Sequence, residues 1–395
     1  MGHRTLLLLG LAAAGRLGVG IFPVAAIFFF AGRGQLPLAG LSAGLFGASA
    51  ALAGPLRARL LELLQSTSLT VFAAIGFGVT VWVLSSAALA SRVALIGLLS
   101  CLAGVLVPPF SVLVQRHIGQ TLAPDRRKAA FSLDVGLSST ANFLAPLVAA
   151  GLISVSPTLT IPVSAVTVSL STTGLILIDP SRRWVRAEAK ERTNLFYVYV
   201  RTNRSQFARI ACATALVGCT IGTLEVLLAG VAKAAGSLNS GAWLLAAMLS
   251  ASAVTGIWCS IRPTRLISRE YLTQLLAVFG GLVLCLCLTL RNGVVAAPVI
   301  VVIGAVEGII TIILFIEADR LSTAHDKGLA MAWIGSSNNL GASVGAVSAA
   351  WLFGRGGALP VLIVGVAALV GAVLTTTITR EAGNQRGSLP VSRHE

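Results

Sequence analysis

Apolar residues gather along this chain into twelve long runs separated by short polar segments, and within the runs they are not confined to one stripe per helix. A helix needs roughly 17 to 25 such residues to cross about 30 Å of hydrocarbon at about 1.5 Å of rise per residue. The runs predict helices at 5–31, 38–56, 68–89, 93–115, 130–153, 158–178, 207–230, 238–261, 272–290, 294–316, 329–353 and 358–379. The expected fold class is an all-α integral membrane protein with twelve transmembrane helices.

Composition supports this reading and charge orients it. A 395-residue chain that is 56% hydrophobic and 11% charged has too little polar side chain to cover a water-facing surface. Of its 29 Lys and Arg residues, 23 fall in alternate gaps of the ladder, while Arg33, Arg92, Lys233, Arg291 and Arg355 occupy the other gaps and Arg16 lies inside a run. Basic loops stay in the cytoplasm, so the chain is expected to be multi-pass in the cell membrane with both termini cytoplasmic. The net charge of +15 is spread over seven short segments without an aromatic-interleaved patch. That fits orientation and contact with the lipid bilayer, not nucleic acid. The six cysteines sit in apolar runs without CxxC spacing, which predicts neither a disulfide framework nor a metal site. Residues 1–15 imitate a signal peptide, but the apolar character resumes past Arg16 through IFPVAAIFFF, so a retained first helix is expected.

The longest polar segment, from Asp179 to Arg209, divides the ladder into two sets of six. The expected organisation is a six-helix half at 1–178, a basic cytoplasmic linker at 179–206, a second half at 207–379 and a disordered tail at 380–395. Trp184, Phe196, Tyr197 and Tyr199 among the linker's basic residues fit either an amphipathic helix at the headgroups or a solvated connection. An internal repeat supports two pseudo-symmetric halves. APDRRKAAFSLDVGLSSTANFLAPLVAAG and TAHDKGLAMAWIGSSNNLGASVGAVSAAW each lead from charges into a helix with a serine pair and small residues four apart, Ala141 and Ala145 in one, Gly341 and Gly345 in the other. Repeats of this kind place a substrate site at the membrane midplane between halves.

With its twelve helices, basic central loop and the segments GRLGVGIFPVAAIFFF, GTLEVLLAG and AMAWIGSSNNLGASVGA, the whole chain resembles the major facilitator superfamily, in particular bacterial drug:proton antiporters. The family's gating motif G-x-L-A-D-R-x-G-R-K corresponds to Ala58–Thr67, where Arg59 precedes Leu60 and an acidic Glu62 is kept but the glycines and later basic residues are gone. The antiporter motif G-x-x-x-G-P-x-x-G-G is matched in spacing by Ala141, Ala145, Pro146, Ala149 and Ala150, with alanine for every glycine. Helix 4 has Gly104 and Pro108-Pro109 in place of the buried arginine of many proton-coupled members. The resemblance implies a monomer that rocks its halves around a midplane cavity, with a small organic substrate, protons as coupling ion and no cofactor. Three readings stay open: proton-driven export, import or uniport, and a transport-inactive sensor or assembly partner.

An ionisable group inside a spanning helix costs at least about 2.5 to 3.5 kcal/mol, so each is a candidate for function. Glu225, taken as mid-helix in the seventh run, is the leading candidate for proton coupling or a cationic substrate, with Gly218, Ile221 and Gly222 on its face. Arg16 either snorkels to the cytoplasmic surface or pairs with Glu225 or an anionic substrate group, since the resemblance makes helices 1 and 7 the paired cavity helices. Glu307, with Gly304 and Thr311 on its face, is a third coupling candidate, and Asp134 is expected at the start of helix 5 as a gating or structural carboxylate. Cavity candidates are Asn142, Trp333, Ser337, Asn338 and Asn339, with Trp243 a further stacking surface. Gating and helix packing are expected of Glu62, Arg59, Asp134, Ala141, Ala145, Pro146, Gly341 and Gly345. The chain lacks the G-x-x-x-x-G-K-[ST] loop, and His3, His117, His325 and His394 are placed in loops or at termini, so no enzyme chemistry and no metal are expected.

Overall fold

The computed structural model describes residues 3–64, 67–86, 92–178, 204–261, 269–289, 293–321, 327–353, 367, 370 and 371. Among them the chain forms α1 (His3–Gly32), α2 (Leu36–Leu64), α3 (Thr67–Ser85), α4 (Val93–Val105), α5 (Phe110–Thr121), α6 (Pro124–Val155), α7 (Pro157–Ile178), α8 (Arg204–Ala234), α9 (Leu238–Ile261), α10 (Arg269–Thr289), α11 (Gly293–Leu321) and α12 (Lys327–Phe353). Eight segments are long and apolar enough to cross a membrane, one of them running through α4 and into α5. Two shorter apolar helices lie at Leu69–Ser85 and Glu270–Leu286. Most of the expected helix at 358–379, most of the 179–206 linker and the tail fall outside the described residues.

Two sequence-based boundaries change in ways that matter. The fourth run is one crossing made of two helices, interrupted at Leu106–Pro109 because neither proline can donate a backbone N–H. The sixth helix begins at Pro124, a favourable first-turn residue, six residues earlier than the apolar pattern indicated.

The two halves pack alike. In the first, α1 packs on α6 and α7, α2 on α4, and α3 on α4 and α7; in the second, α8 packs on α12, α9 on α11, and α10 on α11. Shifting the first set by about two hundred residues reproduces the α1–α6, α2–α4 and α3–α4 pairs as α8–α12, α9–α11 and α10–α11. The turns repeat as well. Gly34 (φ 75°) follows α1 and Gly236 (φ 71°) follows α8. At the first turn Gln35 N donates to Phe30 O and Gly34 N to Ala31 O; at the second Ser237 N donates to Ala232 O and Gly236 N to Lys233 O. Both are Schellman caps, whose left-handed residue is held by glycine at no steric cost.

The halves meet through α2–α12 and α6–α9. A Cβ on Gly40 would overlap the Ala346 carbonyl, and one on Gly44 would press on Val347 and on the Ser343 carbonyl, so bare backbone sets the α2–α12 approach. Near the same end, Lys233 Nζ donates to Gly32 O at 2.7 Å and Trp243 Nε1 to Ser154 Oγ at 3.2 Å. The run Val24–Ala31 of α1 is buried throughout, with Phe22 packed on Phe46 and Phe77. The outside is apolar: α3 turns Phe72, Ile75, Val79 and Trp82 outward at helical spacing, as a lipid-facing surface requires.

Candidate functional site

In the first half, two charged side chains within the helices meet in an ion pair. Arg16 lies midway along α1, where neither membrane face is near. Asp134 lies ten residues, about 15 Å, into α6. Arg16 Nη1 donates to Asp134 Oδ1 at 2.7 Å and Nη2 to Oδ2 at 3.3 Å, a two-pronged contact in which the side chains are 10% and 8% exposed. Nη2 also donates to Ser111 Oγ of α5 at 3.2 Å. The node thus ties α1, α5 and α6 together. Asp134 is not at a helix N-terminus, and Arg16 neither snorkels outward nor meets Glu225; the longer α6 carries the carboxylate inward to the arginine.

A second arginine was hidden among the loop charges. Arg57 Nη1 donates to the carbonyls of Gly104 (2.8 Å), Val105 (3.1 Å) and Val107 (2.9 Å), and Nη2 to Ala50 (3.0 Å). It reaches back along α2 into the membrane to the break between α4 and α5. The tandem proline was the available signal, since a spanning helix that loses two amide donors needs donors from elsewhere.

In the second half, Glu307 of α11 accepts from Ser252 Oγ of α9 and from Thr311 Oγ1 at 2.7 Å. Close backbone approach makes this reachable, because a Cβ on Gly304 or Gly308 would overlap the Met248 or Ser252 carbonyl. Glu225 lies nine residues before the end of α8, about 13 Å from it, in the last third of the helix and not at its middle. It is half-buried and makes no hydrogen bond or ion pair with the described residues. Glu317, which the sequence reading passed over, is buried in α11 with Arg320 at 3.7 Å.

No protein-family model matches the sequence, and no curated protein matches it either. Solved structures do. The crystal structure of nucleoside transporter NupG superposes with a TM-score of 0.71 at 11% identity, covering 96% of this chain and 99% of that one. A D-xylose-proton symporter gives 0.71 at 12% identity over 94% and 96%, and the peptide transporter POT in complex with sulfate 0.69 at 16% over 97% and 96%. The chain has the major facilitator fold.

Within that fold the remaining candidates sort by position. Ala141 and Ala145 are buried on α6, Ala145 against Gly20 of α1, with Pro146 inside the helix. Gly341 and Gly345 press on the carbonyls of Ala215 and Cys219, and Gly218 and Gly222 on those of Asn338 and Ala342, so α8 and α12 interlock from both sides. That absorbs the Asn338 backbone into packing. Ser337 and Trp333 are half-buried on α12, whereas Asn339 and Asn142 are exposed. Arg59 and Glu62 lie on the helical backbone of α2, and their side chains are outside the described residues. His117 is a correction: it is buried within α5, not in a loop. Among the described residues no cluster of His, Cys, Asp and Glu has the makings of a metal site.

Proposed function

We propose that the chain is a secondary active transporter that exports a small organic compound in exchange for protons, by rocking its two halves about a midplane cavity in the cell membrane. Solved relatives of the same fold carry nucleosides, peptides or, with protons, D-xylose, as their names state. The observation that carries the coupling reading is the contrast among three of the carboxyls within the helices. Asp134 is held by Arg16 and Glu307 by two hydroxyls, while Glu225 has no partner among the described residues and is left to exchange a proton or hold a cationic substrate. Arg16 supplies the fixed positive charge of the first half, and Asp134 keeps it neutralised until substrate or a proton separates the pair. The Ala141, Ala145, Pro146 spacing supports export over import.

The test is transport in vesicles with an imposed pH gradient. Glu225→Gln should abolish gradient-driven flux and leave counterflow of substrate intact; full coupled activity in that variant removes Glu225 from the mechanism. Flux that ignores collapse of the gradient overturns proton coupling, and accumulation inside right-side-out vesicles overturns export.

A further inference from the structure

An uninterrupted helix through residues 104–109 would send the amide of residue 108 to Gly104 O and that of residue 109 to Val105 O. Both positions are proline, so both donors are missing, at a depth where water is not on hand to replace them. The chain's own repair is partial: Leu106 N donates to Leu102 O at 2.9 Å, and Val107 N reaches Gly104 O only at 3.5 Å. The guanidinium of Arg57 fills the deficit, donating to Gly104 O and Val105 O, and then to Val107 O inside the break.

The approach is built for it. Gly104 lies against α2 so closely that a Cβ there would overlap Ser49 Oγ, Phe46 O and the Ala50 amide. An arginine near the end of a spanning helix usually extends toward the headgroups, yet this one turns the other way and also binds Ala50 O, seven residues back on its own helix. Directly after the break, α5 presents Ser111 to Arg16.

We infer that Arg57 is a positioning residue: it replaces, from a neighbouring helix, the two backbone donors that Pro108 and Pro109 delete, and so fixes the bend that holds Ser111 on the Arg16–Asp134 pair. The clamp also joins the end of α2, where the gating segment begins, to the buried charge. The link from the clamp to flux rests on the transport reading above; the clamp itself does not.

The experiment is pulsed electron paramagnetic resonance on full-length protein in nanodiscs, with the native cysteines replaced and spin labels at two exposed positions, Leu98 of α4 and Thr121 of α5. Arg57→Ala should broaden the distance distribution across the break, and adding Pro108→Ala with Pro109→Ala should narrow it again, because the restored amides bond within the helix. If Arg57→Ala does not fold alone, the triple variant still should. An unchanged distribution in Arg57→Ala, or equal broadening with and without the prolines, overturns the clamp. In vesicles, Arg57→Ala should slow transport about tenfold, the rate equivalent of leaving a buried carbonyl unpaired. Ser111→Ala should add nothing further in that background, and a full multiplicative loss would separate Arg57 from the ion pair. Should the wild type carry no proton-coupled flux, the spin-label result still decides the clamp.

Discussion

Asp134 shows how little a residue's neighbours in sequence reveal about its charge environment. It follows a cluster of basic residues and reads as a first-turn carboxylate, but three turns of helix carry it to Arg16. Removing one member of a buried ion pair leaves the other unpaired, which costs about 3 to 5 kcal/mol. Asp134→Ala should therefore lower the apparent unfolding temperature in detergent sharply, and Arg16→Ala with Asp134→Ala should fall short of the sum of the single losses. Additive losses would mean the pair carries no coupling energy. Glu225 was legible as a carboxyl within a helix because a charged letter stands out in an apolar run; its offset toward the end of α8 was legible too, since the run 207–230 leaves only five residues after it, and the observed helix extends that to nine.

At the level of helices, the small residues of the repeat are an interlock. Gly218 and Gly222 on α8 meet α12 backbone, and Gly341 and Gly345 on α12 meet α8 backbone, so neither helix can move alone. Gly341→Val should cost about 3 kcal/mol or more through overlap with the Ala215 carbonyl. Gly281→Ala in α10, where a Cβ meets nothing within 4 Å, should be neutral or stabilising by up to about 1 kcal/mol. Thermal unfolding of both variants checks the contrast, and equal effects would refute the interlock. The glycines four apart were visible in sequence, but their partners were not: spacing fixes a face of a helix, and packing chooses what that face meets.

For the whole molecule, the proposed alternating access requires the contacts between halves at the α1–α2 and α8–α9 turns to open and close. Trp243 of α9, expected as a stacking surface for substrate, instead reaches Ser154 of α6 across that seam. In a background without native cysteines, bridging Ser154→Cys to Trp243→Cys with a short, disulfide-forming bis-methanethiosulfonate cross-linker should stop transport, and a reductant should restore it. Undiminished flux in the cross-linked protein would show that α6 and α9 do not separate during the cycle.

The ladder of apolar helices and the places of Arg16, Glu225 and Glu307 within it were legible in sequence alone, because the length of an apolar run and the cost of a charge within it are local quantities fixed by the bilayer. The partners of those charges were decided only in three dimensions. Arg16 chose Asp134 over Glu225, and Arg57 turned inward to mend a broken helix, because the rotation of each helix and the reach of each side chain follow from how backbones approach one another. Glycine and proline control that approach, and their effect is felt on the helix next door.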